Sequence, residues 1–216
     1  MNFILLGPPG SGKGTQGEYL EKALNIIRLS TGDLLRDEIK NKTAIGKEVQ
    51  SLMEAGKFAS DDIVIGLVES KIKSTKGKGF ILDGFPRNIV QANQLESILK
   101  ENGISIDFVL NFLVGEEEVV KRISGRYFCE KCKATYNKEY KNPKKNGICD
   151  ECGGAKFQTR SDDKADVVRS RFQEYNEKTL PLVKYYEEQG NLSNIDASGD
   201  VKDVRKKIDS LILKSN

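Results

Sequence analysis

Histidine and tryptophan are absent from this chain of 216 residues, and there are only five prolines and four cysteines. Without histidine there is no Ser-His-Asp triad, no imidazole general base and no histidine metal ligand. Any chemistry must run on lysine, arginine, carboxylates and bound metal. Large charge is missing too: the formal net charge is +3 at pH 7, too small to argue for a nucleic-acid partner. No apolar run approaches the ~20 residues of a membrane span, and no basic leader precedes the first apolar residues. These absences predict a cytoplasmic protein with no membrane partner. What remains is ordinary for a soluble globular chain, with 31% charged and 38% hydrophobic residues. The length suffices to bury a core and still carry a small inserted module.

Apolar runs alternate with helical patterns, which predicts an α/β fold: a parallel sheet with helices on both faces. Five strands are expected at residues 2–6, 27–29, 79–82, 107–113 and 192–195. Helical spacing covers 13–24, 61–74, 89–101 and 116–123; Val64, Leu67, Val68 and Ile72 form the stripe of the second. A long helix is expected over 162–188, bent at Pro181, and a last one over 201–213. Two stretches break the alternation. Residues 30–60 read as two short helices, and 126–163 is rich in turn residues and holds every cysteine. Both read as insertions on the core, emerging where open α/β sheets bind their ligands.

Residues 7–15 read Gly-Pro-Pro-Gly-Ser-Gly-Lys-Gly-Thr and follow the run Phe3-Ile4-Leu5-Leu6 directly. A strand that runs into a glycine-rich loop and then a helix is built to hold phosphate. Glycines let backbone N–H groups turn onto one anion, the helix adds its positive end, and Lys13 adds a full charge. The spacing Gly7-x4-Gly12-Lys13 fits a P-loop, but Gly14 stands where Ser or Thr usually ligates Mg²⁺, and Thr15 comes one place later.

Cys129-x2-Cys132 and Cys149-x2-Cys152 are separated by 16 residues, the pattern of a four-cysteine zinc site. Two disulfides and free core cysteines are the competing readings. A cytosolic chain disfavours the first and the clustering of all four disfavours the second. Four thiolates close the site to water, so the role is structural, although they suit zinc and iron alike. With Zn²⁺ the group carries −2, which brings the net charge to +1 and leaves Lys131, Lys133, Lys138, Lys141, Lys144 and Lys145 as a solvated face.

Three further motifs narrow the reading. They are Ser30-Thr31-Gly32-Asp33-Leu34-Leu35-Arg36, Leu82-Asp83-Gly84-Phe85-Pro86-Arg87, and the arginines Arg122, Arg126, Arg160, Arg169 and Arg171 around the cysteine segment. Several guanidinium groups facing a phosphate loop suggest a clamp on a transferring phosphoryl group. Taken together, these motifs resemble the adenylate kinase family over essentially the whole chain, and the cysteine insert resembles its long-lid, zinc-bearing bacterial form.

The resemblance implies a P-loop core (1–29, 60–125 and 164–216) with a five-stranded parallel sheet, a small helical AMP-binding insertion (30–59) and a zinc-bound lid (126–163). It implies ATP on Gly10, Ser11, Gly12, Lys13, Gly14 and Thr15, closed over by Arg122, Arg126, Thr135 and Tyr136, with an adenine contact at Ser198. AMP would be held by Thr31, Arg36, Lys57, Phe58, Ala59, Gly84, Phe85, Pro86, Arg87 and Gln91, the last reading the adenine edge. Arg160 and Arg171 would reach AMP and the moving phosphoryl group, joining Lys13, Arg87 and Arg122 in catalysis. Asp83 would hold Mg²⁺ through water. The lid uses Cys152 where some relatives have an aspartate.

The expected function is Mg-dependent transfer of phosphoryl from ATP to AMP, giving two ADP, by a monomer with no nucleic-acid partner. Two alternatives compete: a UMP/CMP-type kinase, and a nucleotide-gated nucleic-acid-binding protein with a zinc ribbon at Tyr136, Lys138 and Tyr140.

Overall fold

A computed structural model describes residues 1–214. Strands β1 (Phe3–Leu6), β2 (Ile27–Ser30), β3 (Phe80–Asp83), β4 (Phe108–Leu113) and β8 (Leu192–Asp196) form one sheet in the order β2-β3-β1-β4-β8. All four pairings are parallel. β1 reads Phe-Ile-Leu-Leu without alternation because both sheet faces are covered. Ile4 and Leu6 face one core with Val64, Val68, Leu95 and Leu182. Phe3 and Leu5 face the other with Leu20, Val204 and Ile208. Helices α4 (Asp61–Ser74), α5 (Ile89–Glu101) and α8 (Pro181–Glu188) pack on the first face. Helices α1 (Lys13–Leu24) and α9 (Val201–Lys214) pack on the second.

Because β1 lies between β3 and β4, the carboxyl ends of these strands and of β2 open on one crevice. They deliver Gly7, Asp83 and Ser30 to it.

Residues 31–54 form α2 (Thr31–Lys40) and α3 (Ala44–Glu54), capped by the hydroxyls of Ser30 and Thr43, which accept from the Asp33 and Gly46 N–H groups. The two helices meet closely at Gly46, where a Cβ would sit 2.1 Å from the Glu38 carbonyl oxygen. Backbone cannot retreat as a flexible side chain can. Gly46→Ala should therefore cost about 1–3 kcal/mol of overpacking, more than the ~1 kcal/mol gained in helix propensity. Urea denaturation of the variant measures this loss.

Beyond α6 (Glu116–Ser124), the cysteine segment folds as an antiparallel sheet in the order β6-β5-β7. Its strands are β5 (Arg126–Cys129), β6 (Thr135–Asn137) and β7 (Phe157–Gln158). The sequence there is rich in turn residues and marks none of these strands.

The long helix expected over 162–188 needs correction at its start. Residues Ser161–Asp163 make a 3₁₀ turn, Lys164 is extended, and α7 (Ala165–Glu174) follows. The Asp162 and Asp163 side chains are taken by Arg171 and Arg126, so the first turn is set by ion pairs rather than helix propensity. Pro181 does disturb the helix, but the irregularity lies before it. Its missing N–H lets the ladder slip into a π turn at Tyr175–Thr179, with the Leu180 N–H bonded to the Tyr175 carbonyl at 2.9 Å.

Candidate active site

The crevice is a cleft of about 680 Å³ lined by residues around the parallel sheet, by α2 and the segment that follows α3, and by the cysteine segment. The loop after β1 forms its floor. Gly10 and Gly12 sit at φ +76° and +95°, a region closed to most side chains, and Gly12 leads directly into α1. Gly10, Ser11, Gly12, Lys13, Gly14 and Thr15 all line the cleft. The Lys13 ammonium folds back onto this loop, donating to the carbonyls of Gly7 and Pro8 (2.7 Å for the latter) and to Ser11 Oγ at 3.3 Å. Burial pulls its pKa down to about 8, with Arg87, Arg171 and Arg126 pushing the same way and Asp83 opposing.

Opposite the loop stands a set of five arginines, four of them steadied by a carboxylate. Arg36 and Arg160 share Asp33 at 2.7 and 3.3 Å. Arg171 pairs with Asp162 at 2.9 Å, and Arg126 grips Asp163 with both arms of its fork. Among the described residues Arg87 has no such carboxylate partner. It donates to the Gly84 carbonyl at 2.7 Å, reaches Thr31 Oγ1 at 3.4 Å and stacks 4.7 Å over the Phe58 ring. Burial first, then the nearby Arg171, lowers Arg87 to about 10, so it stays cationic at neutral pH. Five cations thus face one lysine across the cleft, more positive charge than local carboxylates alone explain.

Arg36, Lys57, Phe58, Ala59, Gly84, Pro86, Arg87, Arg122, Arg126, Thr135, Tyr136, Arg160, Arg171 and Asp83 also line this cleft. Four predicted residues do not. Phe85 is wholly buried in the apolar core, before a cis Pro86. Thr31 is buried and donates to the Gly84 carbonyl at 2.8 Å, which shapes the turn. Gln91 is buried behind Arg87. Ser198 turns its hydroxyl to Asp196 Oδ1 at 2.6 Å, and its neighbours Ala197 and Gly199 face the cleft instead. Arg122 is occupied, donating to the carbonyls of Ala197 (2.8 Å) and Ser198 (3.0 Å) and pairing with Glu118.

Sequence reasoning missed Arg28. From β2 it pairs with Asp83 at 3.0 Å and Asp33 at 3.6 Å, tying two strand ends together. No motif marks it, because only the parallel register Arg28↔Ile81 brings the two strands side by side. Asp162 and Asp163 were missed as well. Their position two and three residues after Arg160, within a basic frame, was the available signal.

In the antiparallel module, the four cysteine sulfurs lie within 4.8 Å of one another. Cys129 and Cys152 are 3.6 Å apart, and Cys132 and Cys149 are 3.5 Å apart. Sulfurs at ~2.3 Å from a tetrahedral metal would stand ~3.8 Å apart, so the cluster can hold a metal such as zinc. Tyr136 completes the surroundings, donating its hydroxyl to Cys149 Sγ at 3.3 Å and accepting the Asp150 N–H at 2.7 Å.

The adenylate kinase family model matches residues 5–191. The chain belongs to the adenylate kinase family. It is 45% identical to an adenylate kinase of Borreliella burgdorferi, with all of both chains covered. It is 44% identical to one of Archaeoglobus fulgidus, covering 99% of each chain. A third, from Paramagnetospirillum magneticum, is 39% identical over 98% of each. The function is therefore that of an adenylate kinase, a phosphotransferase acting on nucleoside monophosphates. The UMP/CMP and nucleic-acid alternatives are not favoured. Among the described residues no helix is long and apolar enough to cross a membrane.

In an adenylate kinase with Lys13 at a pKa near 8, binding a phosphate anion should draw a proton onto the amine at higher pH. Calorimetry of ATP binding at about pH 8.5, in buffers of different ionisation enthalpy, should show proton uptake. Lys13→Arg, whose guanidinium stays charged, should abolish it. Equal uptake by both proteins would rule out Lys13 as the source.

Proposed function

We propose that the chain transfers the terminal phosphoryl group of ATP in line to AMP, giving two ADP, inside the cleft between the two insertions. The observation that carries this is the convergence of Arg36, Arg87, Arg126, Arg160 and Arg171 opposite the Lys13 loop. Phosphoryl transfer needs placement and charge neutralisation more than covalent chemistry. The AMP phosphate is already ionised, so no general base is required and the lack of histidine is no obstacle.

In this reading the loop from Gly10 to Thr15 takes the ATP phosphates, with Lys13 on the terminal pair. Arg122, Arg126, Thr135, Tyr136 and the backbone around Gly199 enclose the ATP nucleoside. AMP is held between residues 30–59 and the turn 84–87, by Arg36, the segment 57–59 and Arg87, with Thr31 shaping the turn and Gln91 meeting the purine edge from beside Arg87. Arg87, Arg160 and Arg171 balance the charge that builds on the moving group. Asp83 would hold Mg²⁺ through water, and the bound cation would neutralise phosphate charge. Residues 126–163, with zinc held by Cys129, Cys132, Cys149 and Cys152, act as a lid that excludes competing water. A monomer in the cytoplasm, with no nucleic-acid or membrane partner, is sufficient for this activity.

The test is a coupled assay with ATP·Mg²⁺ and AMP, UMP or CMP as acceptor. Turnover with AMP alone, blocked by two linked adenosines, is the expected result. Preferential turnover of UMP or CMP would overturn the assignment of residues 30–59 to AMP.

A further inference from the structure

The surroundings of Gln91 carry information that its identity alone does not. Its side-chain amide is buried and engaged at both ends. Oε1 accepts the backbone N–H of Arg87 at 2.8 Å, and Nε2 donates to Asp61 Oδ1 at 2.7 Å. Asn88 Nδ2 donates to the same Asp61 oxygen at 2.8 Å, and Asn88 Oδ1 caps the Gln91 N–H at 2.8 Å. A backbone N–H can only donate, and an ionised carboxylate can only accept. Turning the amide over would set NH₂ against N–H and oxygen against carboxylate. The two ends of Gln91 are therefore not interchangeable, and its neighbours fix which is which.

We infer that Asp61 is a positioning residue that makes the acceptor site selective for 6-aminopurine over 6-oxopurine monophosphates. The inference rests on the reading above, in which Gln91, closed off from the cleft in this structure, is reached by the purine edge when AMP binds. Each end of the amide keeps one unused valence, a second lone pair on Oε1 and a second N–H on Nε2. Adenine offers the complement: its 6-amino group donates to Oε1 and its N1 accepts from Nε2. A 6-oxopurine reverses both, presenting O6 as acceptor and N1–H as donor. It can be paired only by an inverted Gln91, and inversion breaks the bonds to Asp61 and Arg87 in a buried place where unmade hydrogen bonds are costly. Asp61 therefore acts through Gln91 and need not touch the nucleotide. Asn88 supports it by occupying the same carboxylate oxygen.

The experiment compares kcat/KM for AMP and for IMP, which differs from AMP only at the 6-position and N1, with ATP·Mg²⁺ as donor. The unmodified protein should prefer AMP by about 10³-fold or more, as expected of a site that pairs a substrate's polar groups. Asp61→Ala should reduce that ratio by about tenfold, chiefly by lowering the KM for IMP, because inversion then breaks one anchor fewer. A purely structural defect would weaken AMP and IMP by the same factor; an unchanged ratio would overturn the proposal. Should Asp61→Ala fail to fold by circular dichroism, Asp61→Asn carries the same test, since its amide can face either end of Gln91. Gln91→Leu separates the two layers. If it leaves kcat/KM for AMP untouched, Gln91 does not read adenine and the underlying reading fails. If it weakens AMP while the Asp61 variants keep the ratio, only the role of Asp61 fails.

Discussion

Lys13→Ala should lower kcat by about 10²–10³-fold while the protein stays folded, a loss of roughly 3–4 kcal/mol of transition-state stabilisation. The size follows from where the ammonium sits. It lies on the glycine loop, facing five guanidinium groups across the cleft, where the proposed reaction would need phosphate charge balanced. The retained fold follows from its pKa. Burial holds Lys13 near 8, well below an ordinary lysine, so the folded state pays to keep it charged. Removing the amine relieves that cost. Against it stand the lost hydrogen bonds to Gly7, Pro8 and Ser11, each worth about 1 kcal/mol. The two effects offset, and Tm should move by only a few degrees. Steady-state kinetics and a thermal melt check both halves. A collapse of Tm would show that Lys13 works mainly as a structural clasp.

Cys149→Ser should act on the other half of the molecule. Cys149 is buried, accepts from Tyr136 and closes the four-sulfur cluster with Cys129, Cys132 and Cys152. The apolar interior of this module is small: Tyr127, Tyr136 and Phe157 packed around the sulfurs. So few side chains cannot offset the entropy of ordering the segment. Metal binding of the size seen in zinc-finger peptides, about 10–16 kcal/mol, can. A serine hydroxyl is a poor replacement for a thiolate. The variant should fall from about one bound zinc per chain to a small fraction of that, by elemental analysis. Its melt should gain an early transition for the module, with the main transition of the sheet kept. A chelator added to the unmodified protein should reproduce the early transition. Full zinc content with an unchanged melt would remove the metal from the account.

Most of the sheet was legible because its strands are buried on both faces and therefore read as continuous apolar runs between helical patterns. α1, α4 and α5 begin and end where their spacing places them. The glycine-rich loop after β1 was legible for a different reason: its positive φ angles demand glycine, and glycine leaves a mark on the sequence. β5, β6 and β7 were not legible. They are two to four residues long, too short for alternation to register, and the sulfur cluster rather than a hydrophobic face pins them. The start of the helix near residue 162 was misjudged because Asp162 and Asp163 answer to distant arginines. Arg28 and Asp61 stayed hidden likewise, since their partners are fixed by strand register and helix packing and by nothing local.

The pairing of β5 with β7 sets Phe128 opposite Gln158 and Cys129 opposite Phe157. The chain therefore leaves the body of the protein and returns to it on neighbouring strands. Everything between is joined to the body through this pair of strands and a few surface contacts, such as that of Lys22 with Glu151. Its length can vary at little expense, since doubling a flexible loop costs only about 0.6 kcal/mol. A segment so joined can be shortened, exchanged or given a different means of internal bracing while β1, β3 and β4 keep their register. Arg126, at the start of β5 and bonded to Asp163, would keep its place in the cleft through such a replacement.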